Sequence, residues 1–269
     1  MNIEIQHIQE RAEQLCFFND LPIIKRQRLL GLQRISGIEG GPGTLPLGIP
    51  VIDTVLGGGL LRGALHEIAA LSEAHVPAAA GFALGLAALG GAKSVAWIAE
   101  DMALVESGMP HGTGIDDFGL APERLVTVTA AHRRDLLWAM EEALRCRAVS
   151  VVVGEMRAVG IDGVAARRLS LAAADSGALA LLLRAIPPND ASTAATRWII
   201  EAVPSSRNDK EGMHGLGAPR FAVHLRRNRY GPVGSWVLEW SDSDEQFILA
   251  THAQSVAAPA LNRSHRQVA

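Results

Sequence analysis

The sequence predicts an α/β domain built on a mostly parallel β-sheet, and three patterns indicate it. Short runs of aliphatic and β-branched residues alternate with longer stretches of helical periodicity between residues 64 and 186. The run Val149–Val153 is apolar almost without a break, which is typical of a strand covered by helices on both faces. After residue 196 strands follow one another without helices, which predicts an antiparallel extension at the C-terminal end of the sheet.

The elements follow from these patterns in chain order. The predicted strands of the parallel part are Ala64–Ala70, Ser94–Ala99, Leu125–Thr129, Val149–Gly154 and Ala178–Ile186. The helices predicted between them are Ala78–Leu89, Arg133–Arg145 and Asp162–Asp175. The antiparallel strands are predicted at Arg197–Val203, Arg220–Arg229 and Ser235–Trp240. We therefore divide the chain into a helical arm with a linker (residues 1–44), an α/β core (residues 45–240) and a C-terminal tail expected to be mobile (residues 241–269).

Composition excludes several classes of protein. Of 269 residues, 48% are hydrophobic and 20% are charged, which excludes a wholly disordered chain. Cys16 and Cys146 lie far apart and no Cys/His cluster has metal-ligand spacing, so we expect reduced thiols and no metal. We expect a cytoplasmic protein without a membrane partner, because no apolar run is long enough to span a bilayer and the N-terminus lacks a signal-peptide pattern. The net charge of −3 gives no general attraction for nucleic acid.

The most specific motif lies between Leu47 and Ile68. It contains an Asp on a short helical stretch (Asp53), three consecutive glycines (Gly57–Gly59) and a glycine before a strand that carries Glu67. This order resembles the opening of RecA-type ATPase domains, which implies a RecA-like sheet in the P-loop NTPase class. The glycines suit a sharp helix exit, since they adopt positive φ without strain. An ordinary helix-to-strand turn remains the alternative.

The phosphate-binding loop that should follow this motif is absent. Such a loop needs glycines whose amides converge on phosphate, a Lys for charge and a hydroxyl for Mg²⁺. No glycine occurs between Gly63 and Gly81, and Glu73 introduces negative charge there. Gly90–Ser94 has similar letters but precedes a strand, so no helix N-terminus would face the phosphate. The sequence therefore predicts a protein that is not an enzyme and has no cofactor.

Two further segments resemble parts of the RecA superfamily pattern. Glu100 follows the predicted second strand of the parallel part, where RecA-like ATPases present a water-activating Glu, and we interpret it as a relic rather than a catalytic group. Glu155 stands close to where a Mg²⁺-associated Asp is expected. The turn Arg226–Pro232 resembles a basic turn that lies near nucleotide, DNA or the neighbouring subunit in RecA and RadA. Candidate DNA- or partner-binding residues are therefore Arg226, Arg227, Asn228, Arg229 and Tyr230, with a solvated hairpin as the alternative.

A RecA-like core that keeps the leading motif and lacks the P-loop is similar to the ImuA family, over about Leu45 to Trp240. The resemblance implies an accessory role in damage-inducible mutagenesis, that is, translesion DNA synthesis within the SOS response. The implied partners are ImuB, a catalytically inactive Y-family polymerase relative, and an error-prone C-family DNA polymerase. Self-association, binding to RecA, direct DNA contact and recruitment to the nucleoid stay open. The alternative functions are an ATP- or DNA-binding RecA/RadA-like recombination protein and a SulA-like division inhibitor.

Overall fold

The computed structural model describes residues 43–91, 93–157, 160–188, 192–205 and 217–250. Its helices are α1 (Pro50–Leu56), α2 (Val76–Leu89), α3 (Asp101–Ser107), α4 (Gly112–Asp116), α5 (Arg133–Arg145) and α6 (Gly163–Ser176). Its strands are β1 (Thr44–Leu45), β2 (Leu60–Leu61), β3 (Ala64–Ala70), β4 (Ser94–Glu100), β5 (Leu125–Ala130), β6 (Val149–Met156), β7 (Leu179–Arg184), β8 (Thr196–Val203), β9 (Arg220–Asn228), β10 (Gly234–Ser241) and β11 (Gln246–Leu249).

Nine of these strands form one sheet in the order β11-β10-β9-β8-β3-β7-β6-β4-β5. From β5 to β8 every neighbouring pair is parallel, and from β8 to β11 every pair is antiparallel. The short strands β1 and β2 pair separately, at the entrance to β3. The α/β class with a parallel body and an antiparallel end is confirmed.

Each face of the parallel body has its own apolar core. On one face α2 packs against residues from β3 to β11, and Phe82 lies at the centre of an aromatic cluster with Trp198, Phe221 and Phe247. On the other face α5 and α6 cover the strands, with Leu136 and Leu169 among their buried residues. Burial on both faces explains why the parallel strands contain almost continuous apolar runs.

The sheet continues beyond the boundary that the sequence indicated at residue 240. Strand β11 lies inside the segment assigned to the tail, yet it pairs antiparallel with β10, and Phe247 is 1% exposed. A Cβ on Gly85 of α2 would lie 2.5 Å from the Phe247 ring, so helix and strand are in close contact. Four residues after the polar stretch 241–245 give too short a pattern to predict a strand. The proposed helical arm lies outside the described residues, apart from residues 43 and 44.

No helix in the described ranges is long and apolar enough to cross a membrane.

Candidate functional site

The leading motif is held together by local hydrogen bonds where the chain enters the sheet. The Asp53 carboxylate accepts hydrogen bonds from the backbone N–H groups of Leu47 (2.8 Å) and Gly48 (3.1 Å), which hold the chain entering α1. Burial raises the pKa of Asp53, and these hydrogen bonds oppose the rise. A Cβ on Gly59 would lie 2.3 Å from the carbonyl oxygen of Leu45, so only glycine fits there. The motif thus has a structural explanation that requires no ligand.

The segment between β3 and α2 occupies the place where a RecA-type ATPase would bind phosphate. The chain leaves β3 with an extended Ser72 (φ −153°, ψ 173°) and makes one 3₁₀ turn, Glu73–His75, before α2 begins. The Nδ1 atom of His75 accepts a hydrogen bond from the backbone N–H of Ala202 at 3.0 Å, which ties this turn to β8. No residue from 64 to 90 has positive φ, the conformation that folds successive amides into an anion nest. Pro77 also removes one amide donor from the first turn of α2.

Two carboxylates lie at the carboxyl ends of neighbouring strands, and both are bound within the protein. Glu100 is 8% exposed, and its Oε2 accepts a hydrogen bond from the backbone N–H of Arg157 at 2.8 Å. Glu155 accepts a hydrogen bond from Nε1 of Trp97 at 3.0 Å. Burial raises the pKa of Glu155, while the Trp97 hydrogen bond and the charge of Arg157 oppose the rise. Both glutamates therefore already act as acceptors that organise the strand ends.

A buried ion pair on β3 and β8 was not predicted from the sequence. Glu67 is fully buried; its Oε2 accepts from Nε of Arg197 at 2.7 Å and its Oε1 accepts from Oγ of Ser192 at 2.6 Å. The sequence marked Glu67 only as part of the leading motif. The position of Glu67 inside an apolar strand could have predicted the ion pair, because a charged residue needs a partner when it is buried.

His66, next to this pair, belongs to a chain of hydrogen bonds across the same two strands. Its Nε2 lies 2.9 Å from the carbonyl oxygen of Leu61, and its Nδ1 lies 2.7 Å from Oγ1 of Thr196. Nε2 must carry the proton, because a carbonyl only accepts, and Nδ1 then accepts from the Thr196 hydroxyl. Trp198 completes the chain by donating its indole N–H to Thr196 Oγ1 at 2.8 Å. Burial lowers the pKa of His66 to about 4, so the imidazole is neutral.

The basic segment Arg226–Pro232 begins in the last three residues of β9, and most of its polar side chains are bonded within the protein. Arg227 donates to the carbonyl oxygen of Ser192 at 2.7 Å, and Arg229 donates to that of Thr193 at 3.1 Å. Asn228 donates from Nδ2 to the carbonyl oxygens of Val55 (3.0 Å) and Pro232 (3.1 Å). In contrast, Arg226 is exposed and has no hydrogen-bond or ion-pair partner among the described residues. Tyr230 is 52% exposed.

A β-bulge explains why Arg226 differs from its neighbours. Trp198 on β8 pairs with Leu225, whereas the preceding Arg197 pairs with Arg227. Arg226 is therefore the extra residue of β9, and a bulge redirects the side chain of the residue it inserts. The structure brings the five candidates together at the end of β9 and just after it, and the guanidinium of Arg226 is exposed there.

The described residues contain no group of His, Cys, Asp and Glu that could hold a metal ion. At the carboxyl ends of β4 and β6, the carboxylates of Glu100 and Glu155 each accept a hydrogen bond from within the protein. The arrangement is chemically suited to stabilising the sheet, and the exposed part of the basic turn is suited to contact with an acidic surface or a phosphate.

No protein-family model matches the chain. Among solved structures, the RadB recombinase superimposes with a TM-score of 0.53 at 15% sequence identity, covering 76% of this chain and 98% of the other, which confirms the RecA-like fold. Two curated relatives, each named Protein ImuA, come from the Caulobacter vibrioides strains NA1000 / CB15N and ATCC 19089 / CIP 103742 / CB 15. Each is 32% identical over 213 residues, which span 72% of this chain and 82% of the relative. At this identity over most of both chains, the protein belongs to the ImuA family.

Proposed function

We propose that this chain is a non-catalytic accessory protein of damage-inducible mutagenesis. In this role it acts as an adaptor in translesion DNA synthesis, together with an ImuB-like Y-family polymerase relative and an error-prone C-family DNA polymerase. The proposal rests on family membership and on one structural observation, the replacement of a phosphate-binding loop by the segment Leu71–His75.

That segment offers little to a triphosphate. Phosphate binding at this position depends on converging backbone amides and an ammonium group. Here the Leu71 amide donates to the carbonyl oxygen of Ile200 at 3.0 Å and the His75 amide donates to that of Ser72 at 2.9 Å. Glu73 adds a negative charge, and no lysine lies in the segment. These features favour a domain that has kept the RecA-like fold as a scaffold.

The carboxylates support the same proposal. A catalytic Glu must present a free oxygen to a water molecule beside the γ-phosphate. Glu100 is 8% exposed and already bonded to the Arg157 amide, and Glu155 is bonded to Trp97. Both side chains therefore have a structural role, as hydrogen-bond acceptors within the protein, that does not require a bound nucleotide.

Calorimetry and co-purification on the full chain test the proposal. We expect no saturable heat with Mg-ATP and no ATP turnover, in the wild type and in Glu100→Gln alike. We expect an ImuB-like partner expressed with the chain to co-purify with it. Stoichiometric Mg-ATP binding, or turnover that Glu100→Gln abolishes, would contradict the non-catalytic role, and failure of the partner to co-purify would contradict the adaptor role.

Direct DNA binding is a second candidate function, favoured by the exposed Arg226 and by the exposed Tyr230 four residues further along the chain. A guanidinium can pair with a backbone phosphate and a tyrosine ring can stack on a base. If the turn binds DNA, Arg226→Ala should weaken binding to single-stranded DNA and reduce the log-salt slope by about one phosphate contact. Arg134→Ala is a suitable control, since Arg134 is an exposed residue of α5 whose side-chain exposure is 91%. Equal affinities for the wild type and Arg226→Ala would reject this function.

A further inference from the structure

A cleft of about 260 Å³ opens at the amino ends of the parallel strands, the opposite end of the sheet from Glu100 and the Leu71–His75 segment. Three connections and one strand end surround it: the turn before β3, the turn from α2 to β4, the turn from α6 to β7, and the start of β6. Among the described residues, those that line it include two charged ones, Arg62 and Lys93, and no carboxylate. A larger cleft between α5 and α6 differs in this respect, because three arginines there face three acidic residues (Asp135, Glu141 and Asp162).

The guanidinium of Arg62 is partly buried in this cleft, and no acidic residue of the described ranges pairs with it. It donates from one terminal nitrogen to the carbonyl oxygen of Gly90 at 3.0 Å, and it forms no ion pair with a described residue. Burial lowers the pKa of Arg62, which reflects the cost of removing its charge from water. A partly buried cation of this kind is stabilised by an anion that also accepts its remaining N–H groups.

Lys93 places a second positive charge at the same cleft. Its Nζ donates to the carbonyl oxygen of Arg147 at 2.9 Å, which holds the ammonium group and uses one of its three donors. Lys93 belongs to the segment Gly90–Ser94, whose letters resemble a phosphate-binding loop but which precedes a strand.

Ser150 provides an independent observation. Ser150 is 8% exposed and lines the cleft, and its buried Oγ has no hydrogen-bond partner among the described residues. The pairing of β4 with β6 shifts here: Ser94 pairs with Val149 and Val95 pairs with Val151, so Ser150 is the extra residue of a bulge. Buried hydroxyls are normally satisfied, and a bulge that presents one without a partner is typical of a functional position.

Ser176 does not compete for this role. Its hydroxyl donates to the carbonyl oxygen of Ala173 at 3.2 Å and accepts from the amide of Ala178 at 3.1 Å. Among the described lining residues, the side-chain donors still available are therefore the remaining N–H groups of Arg62 and Lys93 and the hydroxyl of Ser150.

We propose that this cleft binds a phosphate group, with the Arg62 guanidinium and the Lys93 ammonium as charge partners and the Ser150 hydroxyl as a neutral donor. A guanidinium fork matches two phosphate oxygens, and an ammonium group and a hydroxyl match others. The volume exceeds that of one phosphate, so part of an attached sugar also fits. The site is independent of the nucleotide position of RecA-like ATPases, since it lies at the other end of the strands.

Calorimetric titration of the full chain with inorganic phosphate at low ionic strength tests the site. We expect saturable binding at one site per chain. Arg62→Gln removes a charge-assisted hydrogen bond and should weaken binding about tenfold or more, and Ser150→Ala should weaken it about threefold. The control Arg134→Gln changes an exposed arginine outside the cleft and should bind phosphate as the wild type does. Thermal unfolding of each variant establishes that it is folded.

The source of the phosphate group is distinguished with two oligodeoxynucleotides of one sequence, one carrying a 5′-phosphate and the other a 5′-hydroxyl. A preference for the 5′-phosphate that is lost in Arg62→Gln supports the site and points to a nucleic-acid end. Inorganic phosphate that binds while neither oligonucleotide does supports the site and points to a small phosphorylated molecule. Absence of saturable phosphate binding by the wild type, or equal affinity in the wild type and Arg62→Gln, would overturn the proposal.

Discussion

Asn228 donates a hydrogen bond from Nδ2 to the carbonyl oxygen of Val55 at 3.0 Å, across 173 residues of sequence. The bond joins the last residue of β9 to the last turn of α1. A Cβ on Gly231 would lie 2.7 Å from the same carbonyl oxygen, so the two segments are in close contact. The leading motif and the basic segment, both of which resemble parts of RecA-type domains, are thus in contact, and Asn228 has a structural role in that contact.

Replacing Asn228 should therefore affect stability, whereas replacing Arg226 should not. Asn228→Ala removes hydrogen bonds to Val55 and Pro232, and we expect the free energy of unfolding to fall by about 1–3 kcal/mol. Arg226→Ala changes an exposed side chain that has no partner in the described part of the chain, and we expect a change within about 0.5 kcal/mol. Urea unfolding measures both. Equal losses in the two variants would show that this assignment of roles is wrong.

Glu100 should behave as a hydrogen-bond acceptor and not as a catalytic acid or base. Glu100→Gln keeps an oxygen that can accept from the Arg157 amide, and we expect a stability close to that of the wild type. Glu100→Ala leaves this partly buried amide without its partner, which should cost about 1–3 kcal/mol. Chemical denaturation distinguishes the two variants. A loss as large in Gln as in Ala would indicate that the negative charge itself is required.

The position of β11 makes the effect of C-terminal truncation depend sharply on where the chain ends. A chain that ends at Ala250 keeps all eleven described strands, whereas one that ends at Ser241 loses β11 and exposes the surface under Phe247. We expect the longer chain to unfold like the full protein in thermal scans. The shorter one should lose stability comparable to Phe247→Ala, about 3–5 kcal/mol. Similar melting temperatures for both truncated chains would contradict the packing of β11.

Truncation at Ala250 is accordingly the appropriate test of whether residues 251–269 contact an ImuB-like partner. Its advantage over truncation at Ser241 is that a loss of binding cannot result from loss of β11.

His66 should make the protein acid-sensitive. Its folded pKa of about 4 lies below its ordinary value of 6.5, so between these values the unfolded chain binds a proton that the folded chain does not. The resulting stability is fully present above pH 6.5 and is lost as the pH falls towards 4, by about 3 kcal/mol in all. Free energies of unfolding at pH 7 and pH 4.5 measure this loss. The same difference measured for His66→Asn should be smaller, because no imidazole titrates; an unchanged difference would assign the acid sensitivity to other groups.

The parallel body could be predicted closely because each element carries its own local pattern. Helix α5 has the predicted bounds Arg133–Arg145, and β3 has the predicted bounds Ala64–Ala70. Helical periodicity and uninterrupted apolar runs are properties of neighbouring residues. The first indicates a helix buried on one face, and the second indicates a strand buried on both faces. The leading motif could also be recognised from the sequence, because its consecutive glycines form a local pattern. The structure gives the reason for one of them: a Cβ on Gly59 would collide with the backbone of Leu45.

The remaining features depend on residues far apart in the chain. The pairing of Glu67 with Arg197, the bond from Asn228 to Val55 and the burial of Phe247 each need the completed sheet. The same holds for the cleft at Arg62 and Ser150, because bulges and strand order decide which side chains meet. Local sequence specifies which strands and helices can form. Which polar groups find a partner, and which are left for a ligand, is decided only when non-local packing fixes their distances and removes water.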